Sequence, residues 1–248
     1  TVYCFADHLL ILCANGNQDS VIRHLDKYTI TEDFKITDIS SITTAYSLFG
    51  SQVKNRLIER FELAEIKELT PFNYLQSERD ILASGAWLDG NGYNVFVAKE
   101  HEEALQNKLI ANQITEISPY IYEVLRIESG IPAFGKELND IHNPLEAGLT
   151  PAVSFTKGCY IGQEVIARLH SYNKVQRKLC RVEAEINENV TVPAQLTDGE
   201  KEIGTLTSAA INPATKKMIG LCYLPIAWQS DKKPILKIED KSYPLTVV

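Results

Sequence analysis

The sequence predicts an α+β protein of two domains, a mixed domain over residues 1–172 followed by a small antiparallel β-barrel or sandwich over 173–248. Three observations carry this. Apolar runs of strand length alternate with helical spacings in the first half, and from Lys174 onward only short β-branched runs remain between turn signals. Between the two lies Ile131–Pro151, with three prolines and two glycines, an irregular connection of the kind that is often functional inside a compact domain.

In chain order, Leu9–Ala14 is an apolar run stopped by Asn15-Gly16-Asn17. Val21, Ile22 and Leu25 then recur at helical spacing behind Asp19 or Ser20 as capping residues. Phe34–Ile39 alternates as a strand does, and Thr43–Phe49 is β-branched and aromatic. Gly50-Ser51 introduces a helix carrying Val53, Leu57, Ile58 and Phe61. Asp80–Leu88 and Tyr93–Ala98 read as two strands around Asp89-Gly90-Asn91-Gly92, residues that tolerate the positive φ of a tight turn. Helices are expected over Glu100–Gln113 and Pro119–Ser129, the second opened by Ser118 as cap and Pro119 at its first position. Turn signals at Thr197-Asp198-Gly199, Asn212-Pro213 and 231–234 punctuate the β region.

Composition is that of an ordinary globular protein, 44% apolar and 23% charged. A formal net charge of −7 argues against broad, sequence-independent nucleic-acid binding. No apolar run reaches the roughly 18 residues needed to span a bilayer, and no signal-peptide pattern opens the sequence, so a cytoplasmic protein with no membrane partner is expected. The five cysteines are scattered and never in C-x-x-C spacing, which disfavours a disulfide framework and a structural zinc site; the five histidines nominate no metal cage.

The segment Lys157-Gly158-Cys159-Tyr160-Ile161-Gly162-Gln163-Glu164 concentrates the chemistry. Two glycines four apart free the backbone around a thiol and a phenol, and Glu164 begins a helix with Arg168 one turn on, where the two can pair. Lys157 and a nearby helix N-terminus would favour the Cys159 thiolate. The alternative is a tight turn around a small buried hydrophobe. Glu128, near a helix end, has the chemistry to accept two parallel N–H bonds, or is a solvated glutamate. Tyr93 reads by itself as a core strand residue. Arg168, His170, Lys174, Arg177, Lys178 and Arg181, with Tyr172 among them, form a basic stretch in an acidic protein. It is an electrostatic dock for a glutamate tail, RNA or an acidic face, or a solvated surface.

Ser154-Phe155-Thr156 followed by KGCYIGQE and Ala167-Arg168 resembles the hallmark of the YgfZ family, itself related to the tetrahydrofolate-dependent aminomethyltransferase, the T-protein of glycine cleavage. Leu125–Pro132, Asn143–Glu146 and Glu202–Ser208 are similar to further family segments, and Ser84-Gly85 with Gly90–Tyr93 resembles the transferase's glycine-rich hairpin. The resemblance implies an aminomethyltransferase-like folate-binding domain and a small C-terminal β domain. Its cofactor would be tetrahydrofolate or a one-carbon derivative, with Glu128 on the pterin ring and Tyr93, Lys157, Tyr160, Gln163 and Arg168 around the folate. Cys159 would be the functional thiol. The implied role is an accessory factor for iron-sulfur enzymes, with iron-sulfur client or assembly proteins, among them RNA-modifying enzymes, as partners. A folate-dependent one-carbon transferase and a ligand-free scaffold are the alternatives; Cys159-Tyr160 stand where the transferase usually has an acidic residue and Phe. The resemblance also implies a strand, a helix and an Asn-Ala-Lys-Gly-like turn ahead of the region that Thr1 opens.

Overall fold

The computed structural model describes residues 1–61, 73–76, 80–86, 92–172, 174–228 and 232–248. The chain divides into two units, Thr1–Glu116 and Ile117–Val248. No helix among the described residues is long and apolar enough to cross a membrane.

The first unit contains a hairpin of β1 (Val2–Cys4) and β2 (Leu9–Ile11), helix α1 (Gln18–Tyr28), and a four-stranded antiparallel sheet. The sheet runs β3 (Thr43–Leu48), β6 (Gly92–Ala98), β5 (Asp80–Ala86), β4 (Tyr74–Gln76). Because side chains alternate along β6, Tyr93 and Val95 pack with Val53 and Leu57 of α2 (Val53–Phe61) and Leu109 of α3 (Glu102–Ala111). Phe96 packs with Tyr3 of β1, their rings edge-to-face at 5.2 Å between centroids. Asn94 on β6 is buried but satisfied, donating to the Tyr3 hydroxyl at 3.0 Å and accepting from Ser47 at 2.8 Å.

The strand-helix succession expected here is observed, with one correction. Phe34–Ile39 forms no strand, and Phe34 is largely exposed; alternation favours a strand only where a neighbouring edge takes up the backbone groups, and none does so among the described residues. The expected turn at Asp89–Gly92 falls largely on residues outside the described set, while the strands flanking it do pair, with Ser84 opposite Tyr93.

The second unit opens with α4 (Pro119–Glu128), where the Ser118 hydroxyl accepts from the Ile121 N–H at 3.3 Å. A seven-stranded antiparallel sheet follows the connection and helix α5 (Gln163–Ser171). Its strands are β7 (Arg177–Ala184), β8 (Ala194–Thr197), β9 (Glu202–Ile211), β10 (Met218–Pro225), β11 (Ile235–Ile238), β12 (Lys241–Pro244) and β13 (Thr246–Val247), ordered β12-β11-β8-β9-β10-β7-β13. The two edge strands, β12 and β13, are separated in sequence by Leu245 alone. One residue spans only a few ångströms, so the sheet must roll until its edges nearly meet. The expected barrel is therefore a nearly closed one. Leu196, Leu206, Met218, Cys222, Leu224, Leu236 and Leu245 fill it. Gly204 allows the wall to close, since a Cβ there would sit 2.1 Å from the Tyr223 carbonyl oxygen.

A buried ion pair fixes α4 to this barrel. The Arg126 guanidinium donates to Glu137 at 3.0 Å, to both carboxylate oxygens of Glu123 at 2.7 and 2.8 Å, to Ser208 of β9 at 2.6 Å and to the Ile131 carbonyl at 2.5 Å. Glu137, wholly buried, also accepts from Thr207 and Ser208, each at 2.6 Å, and from the Ala133 N–H at 2.9 Å. Every lone-pair direction of that carboxylate is thus used, the condition under which a buried charge is tolerated. Val124 and Ile127 on the same helix pack on Ala210 and Leu221.

Two outcomes follow from this packing. Gly204→Ala should lower the urea midpoint by the equivalent of about 3 kcal/mol or prevent folding, because the added methyl group meets backbone; an unchanged midpoint would refute the close approach. The Arg126 guanidinium holds the Glu123 carboxyl at about 2, below its ordinary value of 4.5. The stabilisation from Glu123 should be full above pH 4.5 and fade as the pH falls towards 2. The difference in unfolding midpoint between the parent protein and Glu123→Gln should shrink over that window and stay constant above it.

Candidate functional site around Glu128 and the Lys157–Glu164 segment

Glu128 is the last residue of α4, and the helix is stopped immediately after it: Gly130 takes φ 71°, and the Ile131 N–H turns back to the Arg126 carbonyl at 3.0 Å. The anchoring of Arg126 two residues earlier therefore sets where Glu128 lies. Its backbone carbonyl accepts from the Arg181 guanidinium of β7 at 2.6 Å, and its carboxylate Oε1 accepts from the Asn212 side-chain amide. Asn212 is buried just beyond β9, and its own carbonyl oxygen closes the following turn by accepting from the Ala214 and Thr215 N–H groups at 2.8 and 3.2 Å. One side chain both forms the turn expected at Asn212-Pro213 and orients Glu128. The residue is nonetheless exposed, and among the described residues Oε2 accepts no hydrogen bond. The site thus presents a negative, positioned acceptor to solvent.

The connection leading towards the signature is held by its own side chains. Asn143 accepts from the Leu145 and Glu146 N–H groups at 3.0 and 3.1 Å, and the Glu146 carbonyl accepts from Leu179 of β7 at 2.9 Å. His142 stacks on Tyr223 of β10 with centroids 3.6 Å apart; burial lowers its pKa, against the pull of the neighbouring Glu146 carboxylate.

In the signature, Gly162 occupies the N-cap of α5 with φ 90°, a conformation that glycine adopts without strain. The Gln163 side chain accepts from the Tyr160 N–H at 3.1 Å while the Tyr160 carbonyl accepts from the Gln163 N–H at 3.2 Å, a reciprocal clasp across the turn. Lys157 lies with its ammonium 4.5 Å from the Tyr160 ring centroid. Cys159 is exposed rather than buried in the turn. In Cys180 and Cys222, by contrast, burial pushes the thiol pKa up, Cys222 the further. Among the described residues no ion pair joins Glu164 to Arg168; both side chains face solvent, where such pairing contributes little.

The structure thus gathers Lys157, Tyr160 and Gln163 into one turn with Cys159, and places Arg168 on α5 beyond it. Glu128 stands with Arg181 and Asn212, and no hydrogen bond links it to the signature among the described residues. Tyr93 belongs to the first unit, 5% exposed in the core beneath α2 and α3, the strand position that sequence had left open for it. Burial raises its pKa. Of the basic stretch, Arg181 is committed to Glu128, while Arg168, His170, Lys174, Arg177 and Lys178 are exposed. The role of Asn212 and the Arg126–Glu137 pair escaped sequence reasoning. Asn-Pro marked only a turn, and nothing local distinguishes Arg126 or Glu137 from surface charges.

Comparison with known proteins gives the same architecture. Residues 1–157 match the model of the GCVT N-terminal domain and residues 177–248 that of the glycine cleavage T-protein C-terminal barrel domain. A chloroplastic protein of Arabidopsis thaliana named as a transferase is 28% identical over 225 residues, covering 87% of this chain and 50% of that protein. An aminomethyltransferase of Aquifex aeolicus is 25% identical over 227 residues, covering 91% of this chain and 61% of its own length. The crystal structure of the glycine cleavage system aminomethyltransferase T from Bartonella henselae superposes with a TM-score of 0.79 at 20% identity, over 94% of this chain and 65% of that one, a likeness of fold. The chain thus spans between half and two thirds of the length of these relatives. With both domain models matched in order across nearly its whole length, this chain belongs to the glycine cleavage T-protein family.

Proposed function

We propose that this protein is a folate-binding accessory factor of the YgfZ kind, serving the assembly or maintenance of iron-sulfur enzymes. Residues 1–172 would form the folate-binding domain and 173–248 the C-terminal β-barrel domain. The observation that carries the reading is Glu128. It is an exposed carboxylate fixed through Asn212 and Arg181, with one oxygen left unengaged among the described residues. A reduced pterin offers an exocyclic amine and a ring N–H side by side, which a carboxylate accepts as two parallel bonds, one on the unengaged oxygen and one on the second lone pair of the oxygen that Asn212 already engages. Tetrahydrofolate would supply a one-carbon carrier; the chain's own part is to orient its ring and to keep Cys159 exposed on a turn clasped by Gln163. Cys159 is the candidate functional thiol for support of client enzymes, RNA-modifying enzymes among them.

The names of the relatives favour a second reading, a folate-dependent aminomethyltransferase. There a carboxylate assists proton transfer at the folate amine. Cys159-Tyr160 in place of an acidic residue and Phe weighs towards the accessory role.

Calorimetric titration with tetrahydrofolate under reducing conditions should give micromolar binding. Glu128→Ala should weaken it roughly 10- to 100-fold, the loss expected for hydrogen bonds to a charged group. Unaltered affinity in that variant would remove Glu128 from the site, and no binding by the parent would leave a scaffold. Cys159→Ala should retain folate binding yet lose support of an iron-sulfur enzyme's activity. Folate-dependent ammonia release from an aminomethyl-lipoyl carrier, undiminished in Cys159→Ala, would select the transferase instead.

A further inference from the structure

Helix α5 is nine residues long and buries none of them. A helix this short is marginal alone and depends on tertiary cover. Gln163, Ile166 and Leu169 are half-buried and supply that cover on one side. The other side carries Val165, 60% exposed, and Tyr172 at the helix end, 68% exposed, seven residues apart and so on one face, with Arg168 between them. Ile161, ahead of the helix and of its Gly162 cap, is 75% exposed. Apolar side chains at this spacing form a ridge, whereas single exposed hydrophobes need no explanation.

Charge along this part of the sequence is one-sided, and Lys174 sets its ammonium 5.5 Å from the Tyr172 ring centroid. From Ala147 to Val182 there are six basic residues and one acidic residue, Glu164, within a chain of net charge −7. We propose that this flank of α5 is a docking surface for a protein partner whose matching segment is acidic and carries apolar side chains of its own. Charge complementarity selects the acidic partner, and the apolar ridge selects a folded or folding polypeptide over a phosphate backbone, which has nothing to bury against Val165. A net charge of −7 for the chain as a whole disfavours a membrane or a long nucleic acid as the partner. The proposal deepens the accessory-factor reading, on which it rests for the existence of a protein partner, and places the partner beside the turn that exposes Cys159.

The test is fluorescence anisotropy with a short fluorescein-labelled peptide of Glu, Ala and Leu, its leucines at helical spacing, and its analogue with Lys for Glu. Vesicles of phosphatidylserine and phosphatidylcholine and a single-stranded DNA oligonucleotide serve as competing probes. The acidic peptide should bind, its affinity falling about tenfold in Val165→Glu and in Lys174→Glu and falling as salt is raised. All variants change exposed residues, and far-UV circular dichroism checks that they fold. No binding of the acidic peptide, equal binding of the Lys analogue, or binding confined to vesicles or DNA would overturn the proposal, the last two results in favour of a membrane or a nucleic acid. Tetrahydrofolate affinity should be unchanged in Val165→Glu and Tyr172→Ser, so loss of docking and failure of the folate reading give separate signals.

Discussion

The second unit is organised around a charge that cannot be left alone. Glu137 is wholly buried, and an unpaired carboxylate in that position would be prohibitively costly, so Arg126, Thr207, Ser208 and the Ala133 N–H must all be in place. Those five groups come from α4, the irregular connection and β9. Their common satisfaction leaves these elements one mutual arrangement, and removal of either ion would cost about 3–5 kcal/mol. The hydrophobic contacts of Val124 and Ile127 with Ala210 and Leu221 would tolerate small slips; the ion pair does not.

Glu128 inherits that constraint through the backbone. Arg126 and Glu128 are two residues apart on α4, so the network that buries one positions the other at the helix end. There Arg181 and Asn212 complete the alignment from β7 and from the turn after β9. The Glu128 carboxylate is thus held by the buried Asn212 and yet remains exposed. The signature obeys the opposite logic, a locally determined turn in which Gly162 supplies the conformation, Gln163 the clasp, and Cys159 is held out in solvent.

The barrel owes its stability to features remote from the Lys157–Glu164 turn. Leu245 closes the barrel, and the interior leucines fill it; neither touches the Lys157–Glu164 turn within that interior cluster. Exchange of exposed residues on the turn should therefore leave the barrel interior intact. The exposed side chains of α5 likewise lie outside that interior.

Sequence alone determined the features that depend on neighbours along the chain. Helical spacing around Val53 and Leu57, the cap at Ser118-Pro119, the turn at Asn212-Pro213 and the run of short strands after Lys174 are all local, and each is found. The KGCYIGQE segment was legible for the same reason, since its turn is made by its own residues. Phe34–Ile39 shows the limit, because alternation states a preference that only a neighbouring strand can satisfy. The tertiary structure decided what required distant partners: that Arg126 is interior rather than a surface charge, that Glu137 meets Thr207 some seventy residues on, and that Asn212 aims Glu128 across 84 positions. It also decided that the sheet closes at Leu245. Charged and amide side chains look alike in sequence whether solvated or buried, and only the folded chain selects between those states by supplying or withholding the hydrogen bonds that burial demands.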